Sequence, residues 1–185
     1  MSIKAGYEYL LAWKITIPIY DYSVEFCKKY RNLLSSSRTQ DQMVQAARSG
    51  SQNIAEGYKQ ESLQGYLKLT GVNRGSLEEL LKDFTSFARQ NKIEIWDKER
   101  TRREIGEIGV IWEILKKTPT LPDNPNFPYL PEDLTKCVNL MITLVNQANF
   151  LQDRLSQSLE QKFVKEGGFR ENLFKKRMEY RNQKR

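Results

Sequence analysis

The sequence predicts an all-α protein: an antiparallel up-and-down four-helix bundle with an inserted helix before the last core helix and a short C-terminal helix. Apolar side chains recur every three or four positions over most of the 185 residues, which is the period of amphipathic helices. No segment shows the two-residue alternation of a β-strand over a useful length. Four of the periodic stretches are long, and such helices bury their apolar faces by packing around a shared core.

The first helix has a proline within its apolar stripe. This stripe consists of Leu10, Trp13, Ile17, Tyr20, Val24, Cys27 and Leu34. Because Pro18 lacks a backbone N–H and its ring clashes with the preceding turn, we expect a kink or a restart of the helix near Ile17. Residues 35–38 then form a short serine-rich loop.

The second helix is expected to begin at a capping box. Thr39 has the N-cap position of this pattern, and Gln42 follows three residues later. Small side chains crowd the helix, which ends near Gly57, and they allow a neighbouring helix to approach closely.

The third helix begins at Glu61-Ser62 and has a regular heptad pattern. Its core positions are Tyr66, Thr70, Asn73, Leu77, Leu80, Phe84 and Phe87. Gly71 and Gly75 lie four residues apart in the same helix. Because a glycine inside a helix costs up to about 1 kcal/mol relative to alanine, the pair predicts a closely packed neighbour.

After Asn91 the helical period stops, and it resumes in an inserted helix. The apolar positions of that helix are Ile105, Ile108, Trp112 and Leu115. Five prolines between residues 118 and 131 exclude a continuous helix and predict a long loop across one end of the bundle. Pro131 is expected to open the last core helix, which ends at Gly167-Gly168.

The domain prediction follows from these elements. Residues 1–165 form the four-helix bundle, with residues 96–131 as its inserted helix and proline-rich loop. Residues 166–185 form a basic helical suffix.

The composition argues against an enzyme. Without any histidine, the chain lacks imidazole-based triads, zinc sites with histidine ligands and the Glu-x-x-His di-iron pattern. Cys27 and Cys137 lie at apolar helical positions, which predicts buried free thiols. We therefore expect no catalytic residue, no metal and no cofactor. The acidic residues at helical spacing are expected to pair with nearby lysines or arginines; they are Glu78, Glu79, Asp83, Glu104 and Glu107.

The sequence also predicts a cytoplasmic protein that does not contact a membrane. No stretch approaches the roughly 18–20 apolar residues that span a bilayer. Residues 1–6 lack the apolar region of a signal peptide, and the two cysteines are few for an oxidising compartment.

The net charge of +7 is concentrated in two regions. Residues 26–76 and 165–185 each contain eight Lys or Arg against three acidic residues. The candidate contacts to nucleic-acid phosphates are Lys28, Lys29, Arg31, Arg38, Arg48, Lys59, Lys68, Arg74, Lys175, Lys176, Arg177 and Arg181. The alternative is a solvated surface with a tail that complements a helix dipole.

Two motifs resemble a known family. Residues 38–57 end in Asn-Ile-Ala-Glu-Gly, and residues 69–81 contain Gly-Ser-Leu-Glu-Glu-Leu. Together they resemble the four-helix-bundle family of open reading frames within intervening sequences of bacterial large-subunit rRNA genes. That family, of ribosomal-protein-like type, includes the accessory variability determinant of diversity-generating retroelements. Residues 166–177 further resemble a branch with a C-terminal helical suffix, whereas residues 96–131 depart from the family as an insertion.

The resemblance implies an antiparallel bundle that self-associates, commonly as a pentamer, and has a basic surface. In retroelement members, the bundle binds nucleic acid and a reverse transcriptase and is needed for mutagenic cDNA synthesis. The family supplies no catalytic residue. Its fixed polar and glycine positions match Asn53, Glu56, Gly57, Ser76 and Glu79, which we interpret as structural.

These observations predict a non-enzymatic, homo-oligomeric accessory or scaffold protein that binds RNA or DNA. A reverse transcriptase of a diversity-generating retroelement is a candidate partner. Because few aromatic residues lie among the basic positions, we expect weak sequence specificity and no base-stacking platform. The alternative is a protein–protein interaction scaffold without nucleic-acid binding. Its docking surface would combine the proline-rich loop with Trp96, Trp112, Phe127 and Tyr129.

Overall fold

The computed structural model describes residues 4–183, in which every regular element is a helix. The α-helices are α1 (Leu11–Lys14), α2 (Thr16–Lys29), α3 (Ser37–Tyr58), α4 (Leu63–Gln90), α5 (Lys98–Glu104), α6 (Glu107–Lys117), α7 (Leu134–Glu166) and α8 (Phe169–Gln183). Short 3-10 turns span Gly6–Tyr9 and Arg31–Leu33. Part of the signal-peptide prediction, at residues 1–3, and the last two residues of the suffix, 184–185, lie outside the described residues.

The predicted restart in the first helix is confirmed. The helix is interrupted at Ile15, and α2 begins at Thr16. Pro18 therefore lies in the first turn of α2, where backbone N–H groups have no helical partner to lose.

The starts of two helices differ from their predictions. The N-cap of α3 is Ser36, whose hydroxyl accepts a hydrogen bond from the Thr39 backbone N–H at 3.1 Å, so the expected capping box at Thr39 is wrong. Likewise, α7 begins three residues after Pro131, because the Asp133 carboxylate caps it by accepting from the Lys136 N–H at 2.8 Å. In each case a neighbouring side chain with suitable extended backbone supplies the cap.

Helices α2, α3 and α4 pack as successive antiparallel neighbours. The end of α2 meets the start of α3, where the Cys27 sulfur lies 3.9 Å from the Gln40 carbonyl oxygen. The end of α3 meets the start of α4, where Gly57 lies against the ring of Tyr66. The heptad prediction for α4 is confirmed, because all seven of its core positions are buried.

Helix α7 packs antiparallel to both α4 and α2. Arg74 on α4 pairs with Asp153, late in α7, whereas the loop after α4 reaches Asn139, early in α7. At the other side, the Gln152 amide donates to the Ala12 carbonyl at 3.1 Å. Helices α2, α3, α4 and α7 all contribute side chains to one apolar core.

The aromatic centre of this core is Phe26 on α2. Its ring is fully buried. Its centroid lies 5.0 Å from those of Tyr30, Phe84 and Phe87. Such ring pairs contribute about 0.5–1.5 kcal/mol beyond the area they bury.

Helix α6 covers the α2–α7 side of the core. Its Trp112 indole N–H donates to the Gln147 side-chain oxygen on α7 at 2.8 Å. Ile111 and Leu115, beside Trp112 on the helix, are buried in the shared core. The inserted helix is therefore an integral part of the packing.

The proline-rich loop follows α2 lengthwise, so its predicted path across one end is wrong. We call residues 118–133 the strap. Its start accepts a hydrogen bond from Lys14, its middle from the Tyr22 hydroxyl and its end from the Tyr30 hydroxyl. Because α6 ends beside α1 and α7 begins beside the end of α2, the strap must return along α2. Leu121 and Leu130 anchor it in the core.

The predicted close packing at Gly71 and Gly75 is not found among residues 4–183. Both lie on the exposed face of α4, and a Cβ built at either position meets no atom within 4 Å.

Helix α8 follows a confirmed helix stop at Gly167. This glycine has φ +78°, in the left-handed region that favours glycine, and ends α7. None of the described α8 side chains is buried. The suffix is therefore a separate, exposed element in this chain.

Candidate nucleic-acid interface

Four candidate basic residues lie at one end of the molecule. We call this the α5 end: α2 and α4 stop there, and α3 and α7 begin. Lys28, Lys29, Arg31 and Arg38 are all exposed at this end. The Lys29 ammonium lies 3.5 Å from the Glu132 carboxylate, which offsets part of its charge.

Six further candidates lie at the opposite end. This α8 end comprises the end of α3, the start of α4, the end of α7 and α8. The exposed basic residues there are Lys59, Lys68, Lys175, Lys176, Arg177 and Arg181. The four on α8 occupy a helix with no buried side chain, so their charges remain fully solvated.

The last two candidates lie between the ends. Arg48 is exposed on α3. Arg74 is held between two carboxylates, at 2.9 Å from Glu78 and 3.0 Å from Asp153. One copy of the chain therefore separates its basic residues into two groups, and Arg74 contributes little free positive charge.

The structural-motif residues have different surroundings. A Cβ at Gly57 would lie 2.6 Å from a ring carbon of Tyr66, so only glycine fits there without movement. The Ser76 hydroxyl donates to the Val72 carbonyl of its own helix at 3.2 Å. Asn53 is half-buried, whereas Glu56 and Glu79 are both exposed.

Glu78 forms ion pairs at the predicted helical spacing, whereas Glu104 pairs with its sequence neighbour instead. Glu78 pairs with Arg74 and Lys82, and the hydrogen bond from Arg74 lowers the pKa of its carboxyl. Glu104 pairs with Arg103 at 3.2 Å. Within residues 4–183, no group of three or more Cys, Asp or Glu side chains is placed to hold a metal ion.

Both cysteines are free and buried, as predicted. Burial raises the pKa of each thiol, Cys27 and Cys137, to about 12. Neither sulfur is therefore a thiolate nucleophile at neutral pH.

The aromatic residues of the alternative docking surface mostly pack inward. Trp112 and Phe127 contact the core. The Trp96 ring lies under the Arg100 guanidinium at 4.5 Å and lines an open polar cleft of about 650 Å³. Tyr129 differs, because it is 92% exposed on the strap.

The structure also shows an aromatic cluster that the sequence analysis missed. At the α8 end, the Tyr7 ring meets Trp13 at 5.3 Å and Tyr58 at 6.0 Å, and Tyr58 meets Tyr66 at 6.2 Å. These residues lie far apart in the sequence and follow no common helical period. The sequence contains one sign of this cluster: Gly6 and Gly57 each precede a tyrosine, and each glycine leaves room for the ring of another tyrosine, Tyr58 and Tyr66 respectively.

The chain has no match among protein-family models, curated proteins or solved structures. Among residues 4–183, no helix is both long and apolar enough to cross a membrane.

Proposed function

We propose that this protein is a non-enzymatic accessory or scaffold protein that binds RNA or DNA through basic residues at its two ends. The observation that supports it most strongly is α8, an exposed helix with Lys175, Lys176, Arg177 and Arg181 and no buried side chain. A helix of this kind contributes little to the core, so its basic residues are available for phosphates.

The proposed architecture is an antiparallel up-and-down four-helix bundle of α2, α3, α4 and α7. The contacts support this topology, because the end of α2 meets the start of α3, the end of α3 meets the start of α4, and Arg74 in the first half of α4 pairs with Asp153 late in α7. Helix α6 and the strap cover the side formed by α2 and α7. The resemblance of residues 38–57 and 69–81 to the rRNA intervening-sequence family agrees with it.

We further propose that the protein is a homo-oligomer, following the pentameric members of that family. A ring would repeat each basic end around one axis, so that a modest charge per chain becomes a basic belt. Sedimentation equilibrium or light scattering should then give a mass several times 21.7 kDa. A monomer at working concentrations would contradict the proposal.

A charge-matched pair of variants tests the nucleic-acid interface. Lys175→Ala/Lys176→Ala removes two charges from α8, and the control Lys82→Ala/Arg154→Ala removes two exposed charges from α4 and α7, between the two ends. In filter binding, the α8 variant should weaken binding and reduce the salt slope by about 0.9 for each phosphate that the variant no longer binds. The control should leave the slope unchanged. Equal effects of both variants would indicate that only net charge matters.

A reverse transcriptase is the partner that the family resemblance suggests. The test is co-purification with a reverse transcriptase encoded beside this gene, with template and variable repeats in the same locus. A locus without such a gene would contradict this partner, but it would leave nucleic-acid binding in place.

The alternative function is a protein–protein interaction scaffold. Tyr129 supports it, because an almost fully exposed tyrosine on the strap is available for a partner. Capture of a partner that survives nuclease treatment and is abolished in Tyr129→Ala would favour this function over the first.

A further inference from the structure

Two tyrosine rings at the α8 end are exposed although their surroundings are well packed. Tyr58 is 48% exposed and Tyr9 is 54% exposed. Tyr58 is the last residue of α3, and Tyr9 closes the 3-10 turn that precedes α1. An aromatic ring exposes a large flat apolar surface, and the described part of the chain leaves much of these two rings uncovered.

The Tyr58 ring is held in position by its neighbours. It makes edge-to-face contacts with Tyr7 at an interplanar angle of 66° and with Tyr66 at 84°. Its hydroxyl lies so close to Gly6 that a Cβ at that position would clash with it. The ring is therefore fixed before any ligand arrives, which limits the entropy cost of binding.

The chain segment around Tyr58 has little net charge. Lys59 follows Tyr58, but Glu56 and Glu61 are exposed in the same segment and offset its charge. Further positive charge is on the exposed Lys68 of α4 and on α8, which follows the end of α7. Phosphate attraction would therefore come from the wider end, while the rings supply a nearly neutral apolar surface.

We infer that Tyr58 forms a stacking surface for unpaired bases of single-stranded RNA or DNA. Bases in a duplex are already stacked on one another, whereas unpaired bases can stack on a protein ring. The inference rests on the proposed nucleic-acid binding and adds a preference for single strands to it. It also revises the expectation that no base-stacking platform exists, because the aromatic cluster is assembled from distant parts of the sequence.

The experiment compares single-stranded and duplex oligonucleotides of equal length by fluorescence anisotropy. It uses the full chain, with both RNA and DNA, at one fixed salt concentration. Tyr58→Leu keeps an apolar side chain but removes the aromatic ring, and Tyr58→Phe keeps the ring. Tyr129→Leu is the control, because Tyr129 is also an exposed tyrosine but lies on the strap and not in the cluster around Tyr58. Circular dichroism confirms that each variant remains folded.

The inference predicts tighter binding of single strands by the natural protein. Tyr58→Leu should lose about fivefold or more in single-strand affinity, the effect of one stacked base, with duplex affinity unchanged. Tyr58→Phe and Tyr129→Leu should bind as the natural protein does. A 2-aminopurine base in the single strand should be quenched on binding, and this quenching should disappear in Tyr58→Leu.

The outcomes separate this inference from the function on which it rests. Equal affinity for single strands and duplexes, unchanged by Tyr58→Leu, would overturn the stacking surface and leave nucleic-acid binding intact. A Tyr129→Leu effect as large as that of Tyr58→Leu would also overturn it. Binding of neither form at low salt would overturn the proposed function itself.

Discussion

Replacing Lys14 with methionine should destabilise the protein, although this removes a buried charge. Lys14 is only 3% exposed, and its ammonium donates to the carbonyl oxygens of Leu115 at 2.5 Å, Thr118 at 3.1 Å and Pro119 at 3.3 Å. In a continuous helix the Leu115 oxygen would accept from the N–H of residue 119, but a proline has none. The lysine therefore replaces a backbone donor that the sequence of α6 cannot supply.

The size of the loss follows from which oxygens remain buried. Of the three, the hydrogen bond to Leu115 is the buried one, whereas those to Thr118 and Pro119 are partly exposed and can be replaced by water. An unsatisfied buried acceptor costs about 1–3 kcal/mol, so Lys14→Met should lower the free energy of unfolding by at most that amount, reduced by the desolvation cost of the ammonium that the variant removes. The methionine retains most of the apolar stem, so packing should change little.

The pH dependence of stability provides an independent check. Burial lowers the pKa of Lys14 below its ordinary value of 10.5. Between the lowered pKa and 10.5 the Lys14 side chain binds more protons in the unfolded chain than in the folded chain, so its contribution to stability should rise with pH in this window. The raised pKa values of Cys27 and Cys137 act in the opposite direction, so the effect of Lys14 is measured as the difference between the natural protein and Lys14→Met. Below the lowered pKa, the cost of burying the ammonium is present in full. Lys14→Met should not show this rise.

Urea unfolding, followed by circular dichroism at several pH values, measures both effects. The exposed Lys28→Met is the matched control and should change stability by less than about 0.5 kcal/mol. A Lys14→Met protein as stable as the natural one, with the same pH dependence, would refute the role assigned to this lysine.

The structure makes three further predictions about stability and reactivity. Cys27 and Cys137 should resist a thiol reagent at pH 8 in the native protein and both react in urea; rapid native reaction would contradict their burial. Phe26→Ala should cost about 3–5 kcal/mol in urea unfolding, because the ring is fully buried among three others. Gly71→Ala and Gly75→Ala should each raise stability by about 0.5–1 kcal/mol. A decrease in stability, or a smaller oligomer in light scattering, would instead show that another molecule packs against them.

The periodic elements could be predicted from the sequence because their information is local. The seven heptad positions of α4 are all buried, and the helix stop at Gly167 follows from its sequence. The start of α3 could not be located from the sequence, because Ser36 and Thr39 are both good N-cap residues and only the backbone geometry selects Ser36.

Long-range arrangements could not be predicted in the same way. Five prolines exclude a helix in the strap, but its route along α2 depends on where α6 ends and α7 begins. The cluster around Tyr58 joins a 3-10 turn, α1, α3 and α4, and no single period of the sequence brings these rings together. The pairing of Arg74 with Asp153 is similarly invisible in a charge count, yet it removes one candidate from the free basic surface.

The salt dependence of nucleic-acid binding tests the central proposal most directly. The dissociation constant of the full chain for a short RNA and a short DNA would be measured by anisotropy from about 50 to 200 mM salt. The proposal predicts binding at low salt and a linear fall of log K with log salt, with a slope of about −0.9 for each duplex phosphate contacted. Failure to bind either nucleic acid at low salt, or binding that salt does not weaken, would contradict it.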